Sequence, residues 1–235
     1  MTARCIYTRT ARIYWQRGGY LLLLGAAVFV PLGLIDALAD RAPELHVSDP
    51  GQLGDLSTIA LLLGFAAQAF TSLIGEVFYS GAVALSLAAG ERQPPPSLRT
   101  VARRLAYGRL IAVDLVFGAI VAAGLIAFIV PGVILFTWFA LAGPVVELEG
   151  AGIWAALKRS RRLVRGRFWK VFAVLVPITL ASELLSTGSL QVIHLVIHEP
   201  LLGDWVGEAV TNILLSPFYA VAAVLLTLEL SHRSG

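Results

Sequence analysis

Apolar runs long enough to cross a bilayer make up most of this chain. The first uninterrupted run covers residues 19–39, and a spanning helix needs roughly 20 predominantly apolar residues. Backbone polar groups inside hydrocarbon must find partners within the chain, so such runs fold as helices. We therefore predict the all-α class, a polytopic transmembrane helical bundle.

The same length criterion, applied along all 235 residues, predicts about six spans in one integral membrane domain, 1–235. Hydrophobic residues make up 57% of the chain and charged residues 14%, whereas soluble domains are about 25% charged. This composition excludes a soluble globule. The predicted spans are 19–39, 57–85, 110–130, 131–148, 168–189 and 205–230.

The N-terminal run also has features of a secretory signal peptide. Arginines precede it, and it ends in the small-residue sequence Ala-Leu-Ala at 37–39. The apolar part of a signal peptide is, however, only about 7–15 residues long. The greater length of this run, and the spans that follow it, favour an uncleaved first span.

A reversal of the chain is predicted at Pro131 and Gly132. One straight helix over 110–148 would be about 58 Å long at 1.5 Å per residue, roughly twice the hydrocarbon thickness. A tight hairpin at the Pro-Gly pair divides this stretch into two spans of acceptable length. Pro131 and Gly132 are therefore assigned a structural role.

The positive charges are strongly biased along the chain. Seventeen of the eighteen Lys and Arg residues fall in four segments, 1–18, 91–109, 149–170 and 231–235. With a reversal at the Pro-Gly pair, all four segments lie on one face of the membrane. The positive-inside rule makes that face cytoplasmic, which predicts a multi-pass protein of the prokaryotic plasma membrane with both termini in the cytoplasm.

Two basic segments have the pattern of amphipathic helices on that face, at about 97–107 and 151–165. Such helices lie in the membrane interface, and cations near an anionic leaflet attract its lipids. The lipid bilayer and its anionic phospholipids are the predicted partners. The alternative is that these charges only fix the topology. The candidate lipid contacts are Arg103, Arg104, Lys158, Arg159, Arg161, Arg162 and Arg165.

One stretch of about 45 residues resembles a known family. It contains IVPG at 129–132, GPVV at 143–146, EG at 149–150, AALKRS at 155–160 and LVRGRFW at 163–169. This pattern resembles the glycerophosphoryl diester phosphodiesterase membrane domain, a family of bacterial and archaeal six-span membrane proteins. Some members of that family carry a phosphodiesterase barrel, which this sequence does not contain. The resemblance implies the six-span fold and no enzymatic activity.

Three carboxylates fall within predicted spans: Glu76, Asp114 and Glu183. Ionisable groups are expensive inside a membrane and mark candidate functional sites. One hypothesis is that they line a polar cavity that relays protons or binds a cation or a lipid head group. The alternative is that Asp114 pairs with Arg109 or Arg167, while the two glutamates lie nearer the surface than the span boundaries indicate.

No metal or catalytic site is predicted. His194 and His198 are spaced for one helical face, but no third ligand or metalloprotease motif accompanies them. The sequence has no phosphate-binding glycine loop, no nucleophile elbow and no paired-cysteine motif, so no cofactor is expected. Nucleic-acid binding is not expected either, because no folded basic domain with an aromatic platform is present.

These observations favour a non-enzymatic integral membrane protein, acting as a membrane scaffold or a lipid-associated envelope factor. The alternative is a small transporter or permease component that uses the intramembrane carboxylates. A membrane-embedded enzyme ranks third, because no nucleophile and base are apparent. Protein partners and a homo-oligomer remain open at this point.

Overall fold

The computed structural model describes residues 3–39, 75–88, 90, 94–197 and 199–232, which are all-helical and contain no strand. The predicted all-α class is confirmed within them. The helices are α1 (Ala3–Ala39), α2 (Glu76–Leu87), α3 (Leu98–Arg104), α4 (Tyr107–Ala127), α5 (Ile129–Phe139), α6 (Ala142–Glu149), α7 (Ile153–Arg165), α8 (Phe168–Val196) and α9 (Pro200–His232).

Four helical stretches among the described residues are long and apolar enough to cross a membrane. Two shorter apolar helices, Glu76–Leu87 and Phe168–Ser182, accompany them. The run of α5 and α6 counts as one crossing, because only a local irregularity at Ala140 and Leu141 separates them. The four stretches are Ala3–Leu34, Tyr107–Ala127, Ile129–Glu149 and Trp205–His232.

The two longest helices, α1 and α9, lie antiparallel along one another. Tyr14 donates its hydroxyl hydrogen to the carbonyl of Leu214 at 3.2 Å. Further along α1, the indole of Trp205 donates to the carbonyl of Val30 at 3.0 Å. Helix α1 begins at Ala3, before the predicted start of the first span, because no proline interrupts the arginine-containing segment.

Helices α4 and α5 form the predicted hairpin, but its turn is displaced. The chain reverses at Phe128, which has extended backbone angles (φ −171°, ψ 155°). The rings of Phe117 and Phe136 then meet across the hairpin, with centroids 5.8 Å apart. The predicted break at Pro131 and Gly132 lies instead inside the first turn of α5.

Both residues have a physical reason to be there. Proline is tolerated in the first helical turn, because the N–H that it lacks would have no partner within the helix. Gly132 lets the two helices approach closely, since a β-carbon on it would lie 3.0 Å from the backbone nitrogen of Leu125.

Hydrogen bonds join the start of α4 to the end of α6. The backbone N–H of Ala106 donates to Glu147 Oε1 at 2.9 Å, and Arg109 donates to the carbonyl of Gly150 at 2.9 Å. Helix α3, which precedes α4, and helix α7, which follows α6, therefore extend from the same end of the bundle. We call this end of the bundle, with residues 98–109 and 147–170, the basic end.

Helix α2 lies at the centre, in contact with α1, α4, α6 and α9. It begins at Gly75, whose positive φ of 93° cannot occur within a right-handed helix. The predicted span 57–85 is therefore not one continuous helix, because it breaks at this glycine. Residues 57–74 lie outside the described residues.

The other predicted boundaries shift by a few residues. The surface helix predicted at 97–107 ends at Arg104, because Leu105 is extended (ψ 132°) and leads into α4. The loop predicted at 190–204 is largely helical: α8 continues to Val196, and α9 begins at Pro200. His198 lies outside the described part of the chain.

Glycine allows α2 and α6 to cross closely. A β-carbon on Gly143 would clash with the carbonyl oxygen of Val77 and would lie 2.6 Å from Ser80 Oγ. Substitution Gly143→Ala is therefore expected to lower the free energy of unfolding by about 1–3 kcal/mol through overpacking. Thermal unfolding in detergent micelles, followed by circular dichroism, measures this loss.

The matched control is Gly108→Ala in α4. A β-carbon there has no neighbour within 4 Å, and alanine is the better helix former. We expect this variant to unfold at the wild-type temperature or slightly above it. If Gly143→Ala were equally stable, the close crossing of α2 and α6 would be refuted.

Candidate functional site

The N-terminus of α2 is held by a carboxylate from another helix. Asp114, only 4% exposed, projects from α4 and accepts a hydrogen bond from the backbone N–H of Gly75 at 2.6 Å. The amides of Val77 and Phe78 face the same carboxylate. The first N–H groups of a helix lack partners within it, and a negative charge is favourable at this end. Asp114 therefore caps α2 from outside.

A second carboxylate lies in the first turn of the same helix. Glu76 Oε1 accepts a hydrogen bond from Ser216 Oγ of α9 at 2.6 Å. Ser216 is itself buried, at 2% exposure. This contact fastens the start of α2 to α9, while Asp114 fastens it to α4.

In each carboxylate, only one of the two oxygens accepts a hydrogen bond among the described residues. Glu76 Oε2 and Asp114 Oδ1 are buried and have no hydrogen-bond partner among the described residues. The hydroxyl of Tyr219, on α9, is also buried and has no hydrogen-bond partner among the described residues. Glu76 directly follows Gly75, the partner of Asp114, so both carboxylates lie at the start of α2. Carboxyl oxygens without partners in an apolar interior are candidates for taking up a proton.

The pairing of Asp114 with an arginine, considered from the sequence, is not made by Arg109. Arg109 donates instead to the carbonyl of Gly150. Glu183 belongs to the backbone of α8, but its side chain lies outside the described residues. Of the three predicted carboxylates, the structure thus brings together Glu76 and Asp114.

A cavity of about 580 Å³ opens beside Asp114, between α1, α2, α3 and α4. Its described walls are apolar apart from Arg99, Tyr107 and Asp114. Arg99 and Tyr107 belong to the basic end, whereas Asp114 and Gly75 lie at the start of α2. We call this space the lateral cavity.

Helix α7 separates its apolar and basic residues onto different sides. Its buried side is formed by Ala156, Leu157, Ser160, Leu163 and Val164. Ser160 donates from Oγ to the carbonyl of Trp138 at 2.7 Å, so this small residue allows α7 to lie against α5.

The five predicted lipid contacts on α7 differ in their surroundings. Arg159 forms an ion pair with Glu149 at 3.0 Å. The guanidinium of Arg161 stacks over the ring of Trp138, 4.5 Å from its centroid. Arg161 is nevertheless exposed, as are Lys158, Arg162 and Arg165. The predicted contacts on α3, Arg103 and Arg104, are exposed as well.

No metal site is found in the part of the chain that the structure describes, which holds no group of three or more His, Cys, Asp or Glu residues suited to a metal ion. Cys5 is a partly buried free thiol on α1.

Sequence reasoning missed the partners of the two carboxylates. Ser216 falls within the predicted span 205–230, and Gly75 within the predicted span 57–85. The adjacent Gly75 and Glu76 were a usable signal, since a glycine before an acidic residue is compatible with a helix start. Nothing in the sequence could have linked that start to Asp114, 39 residues away.

Comparison with known proteins gives one match. Residues 18–230 match the family model described as a domain of unknown function, DUF7847. No curated protein and no solved structure matches the chain. The resemblance to the glycerophosphoryl diester phosphodiesterase membrane domain stays a prediction, because the match carries no link to it.

The capping role of Asp114 can be tested by two substitutions. Asp114→Leu removes the acceptor and leaves the N–H of Gly75 buried without a partner, which costs about 1–3 kcal/mol. Asp114→Asn keeps an oxygen in place and is expected to lose less. Thermal unfolding in micelles compares the two variants. If the leucine variant were as stable as the asparagine variant, the hydrogen bond to Gly75 would contribute nothing to the fold.

Proposed function

This chain belongs to the DUF7847 family, and from its structure we propose that it is a six-span plasma-membrane protein that binds anionic phospholipids at its cytoplasmic face. The family description names no activity, so the proposal rests on the arrangement of helices and charges. It assigns the protein a role as a membrane scaffold or a lipid-associated envelope factor.

Six spans follow if α2 and α8 cross the membrane with the four longer stretches. Both contain apolar helices, Glu76–Leu87 and Phe168–Ser182. Helix α2 packs in the middle of the bundle, against spans on several sides. The sequence of residues 57–74, which precede α2, is predominantly apolar. The positive-inside rule then assigns the basic end to the cytoplasm.

The lipid-binding proposal rests on the separation of apolar and basic residues onto different sides of α7. Its apolar side is buried on the bundle, so its outer cations are presented from a fixed support. Trp154 and Trp169, near its two ends, are 65% and 76% exposed. Tryptophan is enriched at membrane–water interfaces. A basic helix flanked by exposed tryptophans fits an interfacial surface helix.

The expected strength of this attraction is moderate. Each Lys or Arg near an anionic leaflet contributes about 1 kcal/mol. The cations Lys158, Arg162 and Arg165 would together contribute about 3 kcal/mol on that scale. Arg103 and Arg104 of α3 add two exposed cations at the basic end.

A second candidate function is favoured by the buried carboxylates. Glu76 and Asp114 both lie at the start of α2, and each has one oxygen without a hydrogen-bond partner among the described residues. Ionisable groups inside a membrane often serve proton or ion pathways. A small transporter or permease component that moves a proton through this pair is therefore the alternative.

The lipid-binding proposal predicts the behaviour of a triple variant, Lys158→Gln with Arg162→Gln and Arg165→Gln. Purified from membranes that contain phosphatidylglycerol, it should retain severalfold less of this lipid than the wild type. Quantitative lipid mass spectrometry measures the retained amount. The charge-preserving control, Arg162→Lys with Arg165→Lys, should keep the wild-type level. Equal retention by all three proteins would refute the proposal.

The transporter alternative predicts the loss of a proton flux. In liposomes with an imposed pH gradient, the wild type should carry a proton flux, and Glu76→Gln should abolish it. Glutamine can still accept the hydrogen bond from Ser216, so the fold is preserved while the proton site is removed. The absence of wild-type flux under either direction of the gradient would exclude this alternative.

A further inference from the structure

The lateral cavity is the feature of this molecule that the surface charges do not explain. We propose that it binds one anionic phospholipid, with an acyl chain between α1 and α4 and the phosphate beside Arg99. This inference rests on the proposed lipid-associated function and assigns it a specific internal site, separate from the outer surface of α7.

The cavity is accessible from the side of the bundle. Ile111 and Leu115, in its α4 wall, are 49% and 44% exposed. Pro31 and Ala27, in the α1 wall, are exposed as well. Since α1 and α4 both contain candidate membrane spans, an opening between them faces lipid chains rather than water. The molecules that can enter the cavity from this side are therefore membrane lipids.

The volume and lining fit an acyl chain. The cavity measures about 580 Å³, within the range of about 300–1,000 Å³ that is usual for ligand sites. Leu24, Val28 and Leu32 form its α1 side, and Phe78 and Ala82 its α2 side. An apolar chain there would contact these side chains, and Asp114 is the one acidic residue of the described lining that it would pass.

The charges at the two ends of the cavity give the lipid a direction. Arg99 is exposed on α3, and Tyr107 begins α4, so both lie at the basic end. Asp114 lies seven residues further along α4, about 10 Å deeper at 1.5 Å per residue. A phosphate is attracted by the guanidinium and the hydroxyl and repelled by the carboxylate. The head group is therefore expected at Arg99, with the chain running inward past Asp114.

This charge pattern distinguishes an anionic phospholipid from other occupants. A neutral lipid would fill the apolar part equally well but would gain nothing from Arg99. A free fatty acid or a detergent could occupy the same space without selectivity for the glycerophosphate. An anionic phospholipid such as phosphatidylglycerol uses both the apolar walls and the guanidinium.

Photolabelling tests the site directly. The full-length protein is reconstituted with phosphatidylglycerol that carries a diazirine on one acyl chain, and labelled peptides are mapped after irradiation. We expect adducts on peptides that contain residues 24–32 and 98–115. Labelling confined to other surfaces of the bundle would overturn the proposal.

A pair of matched substitutions separates the cavity from the general lipid surface. Ala27→Trp places a large side chain in the cavity and should reduce labelling of these peptides at least fivefold. Ala119→Trp makes the same change at an exposed position of α4 outside the described cavity lining and should leave labelling unchanged. Equal labelling of the two variants would show that the lipid does not enter the cavity.

The role of Arg99 is tested by competition between lipids. In the wild type, unlabelled phosphatidylglycerol should displace the probe more effectively than phosphatidylcholine. Arg99→Gln should remove that preference, and Arg99→Lys should keep most of it. Displacement by both lipids alike in the wild type would identify a neutral chain site and overturn the assignment of an anionic lipid.

Failure of this inference and failure of the proposed function give different results. If α7 alone binds anionic lipid, the glutamine variant of α7 loses retained phosphatidylglycerol while the cavity peptides are never labelled. If the cavity alone binds it, labelling and its dependence on Arg99 persist in the α7 variant, which retains the wild-type amount of lipid.

Discussion

The hydrogen bond between Gly75 and Asp114 is the interaction on which the centre of this bundle depends. Helix α2 begins among other helices, so its first N–H groups have no access to bulk water. Inside a bilayer each such group would cost several kcal/mol without a partner. The left-handed turn at Gly75 directs its amide at a carboxylate oxygen 2.6 Å away. This hydrogen bond removes the cost of burying that amide without a partner. The position of Glu76, and its bond to α9, follow from this start.

The same packing determines where the basic end lies. Gly143 lets α6 press against α2, and Glu147 at the end of α6 then reaches the N–H of Ala106. This bond joins the connection between α3 and α4 to the connection between α6 and α7. Two arginine-rich segments that are far apart in sequence are thereby placed at the same end of the bundle. Their charges lie at one end because the apolar interior positions both of them.

The sequence predicted the helical class, the hairpin and the two basic segments, because length and charge bias act on whole segments and do not depend on tertiary detail. It could not predict the turn at Phe128, since Pro131 is compatible with a first helical turn as well as with a break. The hydrogen-bond partner of Asp114 could not be predicted from the sequence either. The sequence offered an arginine as the partner, yet the backbone amide at the start of another helix donates to one oxygen of the carboxylate.

The two functional candidates are physically connected through Asp114. One of its oxygens caps α2, and its side chain also lines the lateral cavity. An acyl chain in that cavity would cover the carboxylate with hydrocarbon and remove any water that could carry a proton to it. Lipid occupancy and proton movement through Glu76 and Asp114 would therefore exclude each other. A bundle whose cavity is permanently filled by lipid is a scaffold, and only one that releases its lipid could conduct through this pair.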